Sequence, residues 1–212
     1  MVRPKQARAV QTRASILRAA AEAFDEFGFA GASINQILKR AGVTSGAMYH
    51  HFESKEALAR ALMNAQPETI VPWLESTGLQ RLVDMTLIWS HQLQTDPLLR
   101  AGVRLTGEQA TFGMQDSSPY ESWTEIMVDC LEVAAERGEL QPGVEPRAVA
   151  EFLVDSCTGM QTVATVVSGR KDLGDRVTRM WQLLLPGIVV PTVIMRTQVG
   201  TDRLKRLLLE KD

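Results

Sequence analysis

Between Thr44 and Lys55 the chain concentrates short hydrogen-bond donors. Thr44, Ser45 and Gly46 open a helical run, Tyr49, His50 and His51 follow about one turn later, and Lys55 begins the next helix. Hydroxyls, imidazoles and an ammonium, set beside the free N–H groups of a helix N-terminus, are suited to phosphate oxygens. Gly46 leaves the backbone bare where a duplex would approach. Ser33, one helix earlier, offers both a cap and a phosphate donor. Arg3, Lys5 and Arg8 lie on a basic N-terminal arm that can reach a flanking phosphate or the minor groove. Lys39 and Arg40 are the nearest further cations. Few of these groups can read guanine in a bidentate way, so most of the contacts position the protein rather than specify sequence.

The same residues do not assemble into a catalytic site. His50 and His51 beside Tyr49 and Glu53 form the one hydrophilic cluster with catalytic chemistry. It lacks a base held by an orienting partner, and the chain has neither a phosphate-binding glycine loop nor metal-ligand spacing. No catalytic residue, metal or cofactor is therefore expected. Cys130 and Cys157, in apolar helical stretches, make no zinc framework and give no reason to infer a disulfide.

The elements that must hold these donors are legible. Ile16, Leu17, Ala20, Phe24 and Phe27 recur at helical spacing, predicting a helix from Ala9 to Phe27 that Gly28 ends. Ser33 caps a short helix over Ile34–Arg40, with Gln36 placed to close a capping box. Gly42 supplies the turn, Val43 plugs the angle, and Thr44 caps a second short helix through His50. Two short helices around a glycine turn, with a supporting helix before them, make a helix-turn-helix. Ser54 then caps a connecting helix from Lys55 to Gln66, stopped by Pro67.

The rest reads as helices over 79–94, 97–105, 121–138, 146–167, 175–185, 191–199 and 202–212. Ile188-Val189-Val190 suits a strand by composition, yet it stands alone. The expected fold is all-α, with a DNA-binding head over residues 1–54 and a larger helical domain over 55–212. The loop from Thr106 to Ser122 reads either as the mobile lip of a pocket or as a helix connection.

Charge supports this division. The net charge is −2, but residues 1–60 carry nine Lys/Arg against five Asp/Glu. A positive head on a negative body presents one end to phosphate. Chance clustering is the bland alternative. No signal peptide or membrane span is evident, so a cytoplasmic chain with no membrane partner is expected.

Residues Thr12 to Leu58 resemble the TetR family of bacterial regulators. The likeness rests on Arg13, Ile16, Leu17, Ala19 and Ala20, then Phe24, Phe27 and Gly28, and the run of Ser33, Ile34, Ile37, Ala41, Gly42, Val43 and Thr44. Gly46, Tyr49-His50-His51-Phe52, Lys55, Glu56 and Leu58 complete it. The resemblance implies a repressor with a ligand-binding and dimerising C-terminal domain, and a DNA-facing set of Thr44, Ser45, Gly46, Tyr49, His50 and Lys55. A homodimer reading a palindromic operator follows, since one head this small binds weakly.

Asp96-Pro97-Leu98-Leu99-Arg100-Ala101-Gly102-Val103-Arg104-Leu105, Pro119-Tyr120-Glu121-Ser122-Trp123 and Gly159-Met160-Gln161 resemble the γ-butyrolactone receptor subfamily of actinomycetes. That resemblance implies control of secondary metabolism and a small hydrophobic ligand against Trp123. Butenolide, furan or antibiotic ligands are the alternatives.

For a lactone with an alkyl tail, candidate apolar lining residues are Trp89, Leu99, Phe112, Met127 and Val163, with Gln109, Gln161 or Thr162 as polar anchors. Each tryptophan, Trp181 included, reads by default as core. The family plan places the dimer interface on the helices from Pro146 and Asp175, with Ala150, Ser156 and Gly159 for close approach and Met180, Leu184, Ile188 and Val189 for apolar area. The competing class is a helical adaptor that binds protein through the head.

Overall fold

The computed structural model describes the backbone of residues 4–210 and the side chains of residues 6–210. Arg3 lies outside the described residues, as does the side chain of Lys5.

The chain is all-α. Its helices are α1 (Pro4–Gly31), α2 (Ile34–Ala41), α3 (Ser45–His51), α4 (Lys55–Asn64), α5 (Gly78–Thr95) and α6 (Pro97–Glu108). They continue with α7 (Ser118–Glu136), α8 (Pro146–Ser168), α9 (Leu173–Ile188), α10 (Pro191–Ile194) and α11 (Thr201–Leu209). The helices divide into two compact units. One comprises the chain up to Thr69 together with Asp96–Pro119; the other comprises Ile70–Thr95 and Tyr120 onward. The division differs from the expected boundary at residue 54, because α4 and α6 both pack with α1.

In the first unit α1 is the central helix. Ile16, Ala20 and Phe24 are fully buried, and Ile37 from α2, Met48 from α3, Leu58 and Leu62 from α4, and Ala101 and Leu105 from α6 close around them. The basic residues read as an arm are partly helical, since α1 begins at Pro4 rather than Ala9. Pro4 suits a first turn, where its missing N–H costs nothing.

Gly28 interrupts α1 at φ 68°, ψ 179° without ending it, a conformation almost confined to glycine. A Cβ there would lie 2.7 Å from Nη2 of Arg104, which donates to the backbone carbonyls of Phe24 and Asp25. Arg100 adds an ion pair with Asp25 at 2.8 Å. The α6–α4 contact is also close, for a Cβ on Gly102 would sit 2.9 Å from the carbonyl oxygen of Leu62. The buried Gln66 amide joins this seam, donating to the Met63 carbonyl and to Thr106 Oγ1.

In the second unit α5 is buried on nearly every side. Its polar residues Asp84, Thr86 and Ser90 are buried with the apolar ones, and each is hydrogen-bonded. Trp181 of α9 is fully buried, and its indole N–H donates to Thr86 Oγ1 of α5 at 2.8 Å. Asp84 of α5 is also fully buried, and it accepts from Ser76, Gln80 and Arg203. The strand-like Ile188–Val190 segment forms one isolated antiparallel bridge, Leu140 with Val189, rather than a sheet. The helix expected over 191–199 stops at Ile194. Beyond it the Gln198 backbone exchanges hydrogen bonds with the Gln80 side chain, which takes the groups a helix would have used.

Candidate nucleic-acid interface

The helix-turn-helix is built by its caps. Ser33 Oγ accepts from the Gln36 backbone N–H at 3.2 Å while the Gln36 side-chain oxygen Oε1 accepts from the Ser33 N–H at 2.7 Å, a complete capping box. Gly42 closes α2 in the left-handed conformation, and its N–H donates to the Leu38 carbonyl. Thr44 Oγ1 accepts from the Ala47 N–H at 3.2 Å and starts α3. Each such cap is worth roughly 1 kcal/mol. Ser15 Oγ donates to the Ala41 carbonyl, tying α1 to the end of α2.

The two sides of α3 differ sharply. Met48 is fully buried and Phe52, its C-cap, nearly so. Thr44, Ser45, Gly46, Tyr49 and His50 are all exposed, with Tyr49 at 49%. Space around Gly46 is open, so a ligand backbone can come close there. Arg13 of α1 stacks over the Phe52 ring at 5.1 Å and steadies the C-cap of α3, a contact between residues far apart in the sequence.

Ser33 is exposed, yet its hydroxyl and N–H are committed to Gln36. Lys55, expected to clamp a phosphate, is half-buried, and its Nζ sits 4.4 Å above the Phe29 ring. Burial pulls its pKa down. Arg40 is engaged by Glu26 and by the face of Phe27, whereas Lys39 is exposed.

The candidate ligand residues fall in different places. Trp89 of α5 and Trp123 and Met127 of α7 are buried in the second unit, each less than a tenth exposed. Leu99, Gln109 and Phe112 belong to the first unit. Leu99 is fully buried, and Phe112 stacks on Phe29 at 3.9 Å within the head core. Gln109 receives the Asp116 N–H and donates to the Asp116 carbonyl. Phe112 and Gln109 thus hold the segment after α6 together, which orders what the sequence left as lip or connection.

Gln161, Thr162 and Val163 lie toward the outer side of α8, with Val163 48% exposed and Thr162 bonded to its own helix. An enclosed cavity needs inward-facing residues, and these do not supply them.

Of the dimer candidates, Ala150 is fully buried on the inner stripe with Leu153, Val154 and Cys157, so its small size serves packing within the chain. Ser156, Met180 and Leu184 are half-buried and Gly159 is exposed. Ile188 and Leu184 line an apolar groove of about 310 Å³ with Ala148, Val149 and Phe152. Val189 is fully buried. The outer stripe of α8, missed in the sequence, is the more exposed one: Phe152, Val163, Val166 and Val167, with Leu183 from α9. Its i, i+3, i+4 spacing could have revealed it.

A capped helix pair around a glycine turn, rooted in a three-helix core and turning hydroxyl, phenol and imidazole groups outward, defines a helix-turn-helix DNA-binding protein. The model "Bacterial regulatory proteins, tetR family" matches residues 16–62, and "Tetracyclin repressor-like, C-terminal domain" matches residues 76–191. The chain belongs to the TetR family of bacterial regulatory proteins. It is a DNA-binding transcriptional regulator and not an enzyme.

It is 44% identical over 190 residues to the A-factor receptor protein of Streptomyces griseus, covering 90% of this chain and 68% of that one. It is similar to full-length native TylP, a TetR regulator from Streptomyces fradiae, with 39% identity, a TM-score of 0.87 and coverage of 97% of this chain and 92% of that one. A γ-butyrolactone receptor (ArpA-like protein) aligns at 32% identity and TM-score 0.69 over 96% of this chain and 99% of that one. Among the described residues, no helix is long and apolar enough to cross a membrane.

Proposed function

We propose that the chain is a cytoplasmic repressor that binds a palindromic operator as a homodimer and is released by a γ-butyrolactone-type signal, so controlling secondary metabolism. The exposed face of α3 carries the DNA-binding part of this reading. Thr44, Ser45, Gly46, Tyr49 and His50 are presented while Met48 and Phe52 anchor the helix from behind. Two such heads on a two-fold axis meet two half-sites, and the outward apolar stripe of α8 with Leu183 supplies a self-complementary dimer face.

The similarity to an A-factor receptor and to a γ-butyrolactone receptor supports the ligand class. In this reading Trp89, Trp123 and Met127 form the apolar wall against which a small lactone with an alkyl tail lies. Ligand displaces the body helices and the connection through α4. The heads then no longer meet both half-sites together, and by linkage operator DNA weakens the ligand by the same factor.

The deciding experiment recovers genomic duplex fragments that bind the purified protein, and then adds an organic extract containing γ-butyrolactones. A palindromic site released by the extract is the expected result. A site that only butenolides, furans or antibiotics release moves the ligand class. Absence of any palindromic site overturns the proposed mode of operator recognition.

A further inference from the structure

Segment 109–117, between α6 and α7, together with Ser118 at the start of α7, straps the DNA-binding unit at several points. Phe112 stacks on Phe29 with centroids 3.9 Å apart and planes 20° from parallel. Phe29 also stacks on Phe24 at 5.8 Å. The side chain of Gln109 closes on both backbone groups of Asp116. Asp116 caps the N–H of Ser118 and lies 3.4 Å from Arg60. Ser118 Oγ donates to Asn64 at 3.0 Å. Arg60 and Asn64 belong to α4, and so does Lys55, whose Nζ rests 4.4 Å above the Phe29 ring. The strap therefore grips α4 along its second half and also fixes the ring that carries the first residue of that helix.

We infer that Phe29 and Phe112 are positioning residues for the DNA phosphate contact made by Lys55. The stacked pair is a platform that holds the ammonium in place before DNA arrives. The inference rests on the proposed operator-binding function and on the DNA-facing role that the family resemblance implies for Lys55. A lysine gripping a phosphate gives up rotamer freedom along its whole stem. A cation–π contact removes part of that loss in the free protein, which is preorganisation. The ammonium keeps N–H groups directed away from the ring, so it can serve ring and phosphate together. Partial burial, which pulls the Lys55 pKa down, also reduces screening of the phosphate attraction.

The test uses the full-length dimer and a fluorescent duplex of random sequence, because a phosphate contact carries no sequence information. The readout is the slope of log K against log salt concentration, which changes by about 0.9 per phosphate contact. Lys55→Met should flatten the slope by about two such contacts per dimer. Phe29→Leu and Phe112→Leu should weaken binding several-fold in the parent and cause no further loss in the Lys55→Met background. Phe112→Tyr, which keeps the stack, should bind like the parent. In proton spectra the Lys55 ε-methylene should be shifted upfield by the Phe29 ring and return to its ordinary position in Phe29→Leu.

Equal weakening in both backgrounds, or no ring-current shift, overturns the platform and leaves simple packing. A Lys55→Met slope identical to the parent removes the phosphate contact itself. A flattened Lys55→Met slope with unaffected Phe29→Leu and Phe112→Leu removes only the platform. Thermal melting of each variant confirms that the head is folded.

Discussion

Arg203 of α11 donates from Nε to Oδ1 of Asp84 at 2.8 Å and pairs its Nη2 with Oδ2, inside the second unit where Asp84 is fully buried. The carboxylate also accepts from Ser76 and Gln80, so it is buried and satisfied. Asp84 raises the Arg203 pKa further through its hydrogen bonds, so this guanidinium stays charged at every accessible pH.

Removing the partner of a buried charge costs far more than the intact pair contributes. Arg203→Ala should destabilise the protein by about 3–5 kcal/mol. Replacing both groups by apolar residues, Asp84→Leu with Arg203→Met, should recover most of that loss. Urea unfolding at fixed protein concentration checks both, since dimer stability depends on concentration. A single variant as stable as the parent would show that α11 is dispensable to the body.

Gly28 permits the approach of Arg104 to the end of α1. At φ 68°, ψ 179° any side chain is strained, and a Cβ would press on Nη2 of Arg104. Gly28→Ala should therefore cost about 1–3 kcal/mol from backbone strain alone. The loss should concentrate in the DNA-binding unit, seen as faster hydrogen exchange of the Ala32 N–H, which bonds the Gly28 carbonyl. Unchanged exchange there would mean that the turn at Gly28 accommodates a side chain without strain.

Much of the head was legible because its signals are local. Ser33, Gln36, Gly42, Thr44 and Ser54 act within three or four residues of themselves, and each performs the capping or turning role its type dictates. Gly28 shows where local reading stops. Glycine signals freedom to leave the helix, but whether the chain then ends or resumes depends on Arg104, 76 positions further on.

The same limit explains Phe112 and Ala150. Phe112 sits in a polar, turn-rich stretch that resembles a pocket lip. Its partner Phe29 is distant in sequence, so stacking in the head core could not be foreseen. Ala150 is small enough for either side of α8, and only the positions of α8's neighbours assign it inward. Trp89, Trp123 and Met127 are buried as any apolar periodicity would have them, which is why their proposed role needs a ligand assay.

Trp123→Ala and Tyr49→Ala should separate ligand response from DNA binding. Tyr49 is half exposed on α3, where its phenol can donate to a phosphate oxygen. Tyr49→Ala should weaken binding to specific and random duplexes alike, by roughly tenfold for each hydrogen bond to a charged oxygen. Trp123→Ala should leave operator affinity near that of the parent while abolishing release by the lactone extract. Loss of both properties in Trp123→Ala, together with a lowered melting temperature, would assign this tryptophan to the core.

The apolar stripe of α8 sets the last expectation. Phe152, Val163, Val166 and Val167 lie on one side of the helix, at 52%, 48%, 84% and 67% exposure, and Leu183 of α9 is 78% exposed. Leaving so many large apolar side chains in water is uncommon for a monomer, and burying each against a two-fold copy yields roughly 1.5–3 kcal/mol when burial is complete. Exposed Gly159 and half-buried Ser156 on α8 leave room for a close helix–helix approach. A carboxylate placed on this face would be buried against the apolar stripe of the copy with no partner of opposite sign, which costs far more than the apolar contact it replaces. Val166→Glu should therefore split the dimer, measured as a halved sedimenting mass, without altering the fold of the single chain. Because each operator half-site alone is bound weakly, specific DNA affinity should fall by orders of magnitude while the weak, salt-sensitive binding of a single head persists. A Val166→Glu protein that still sediments at the parent mass and binds its operator unchanged would move the dimer interface off this stripe.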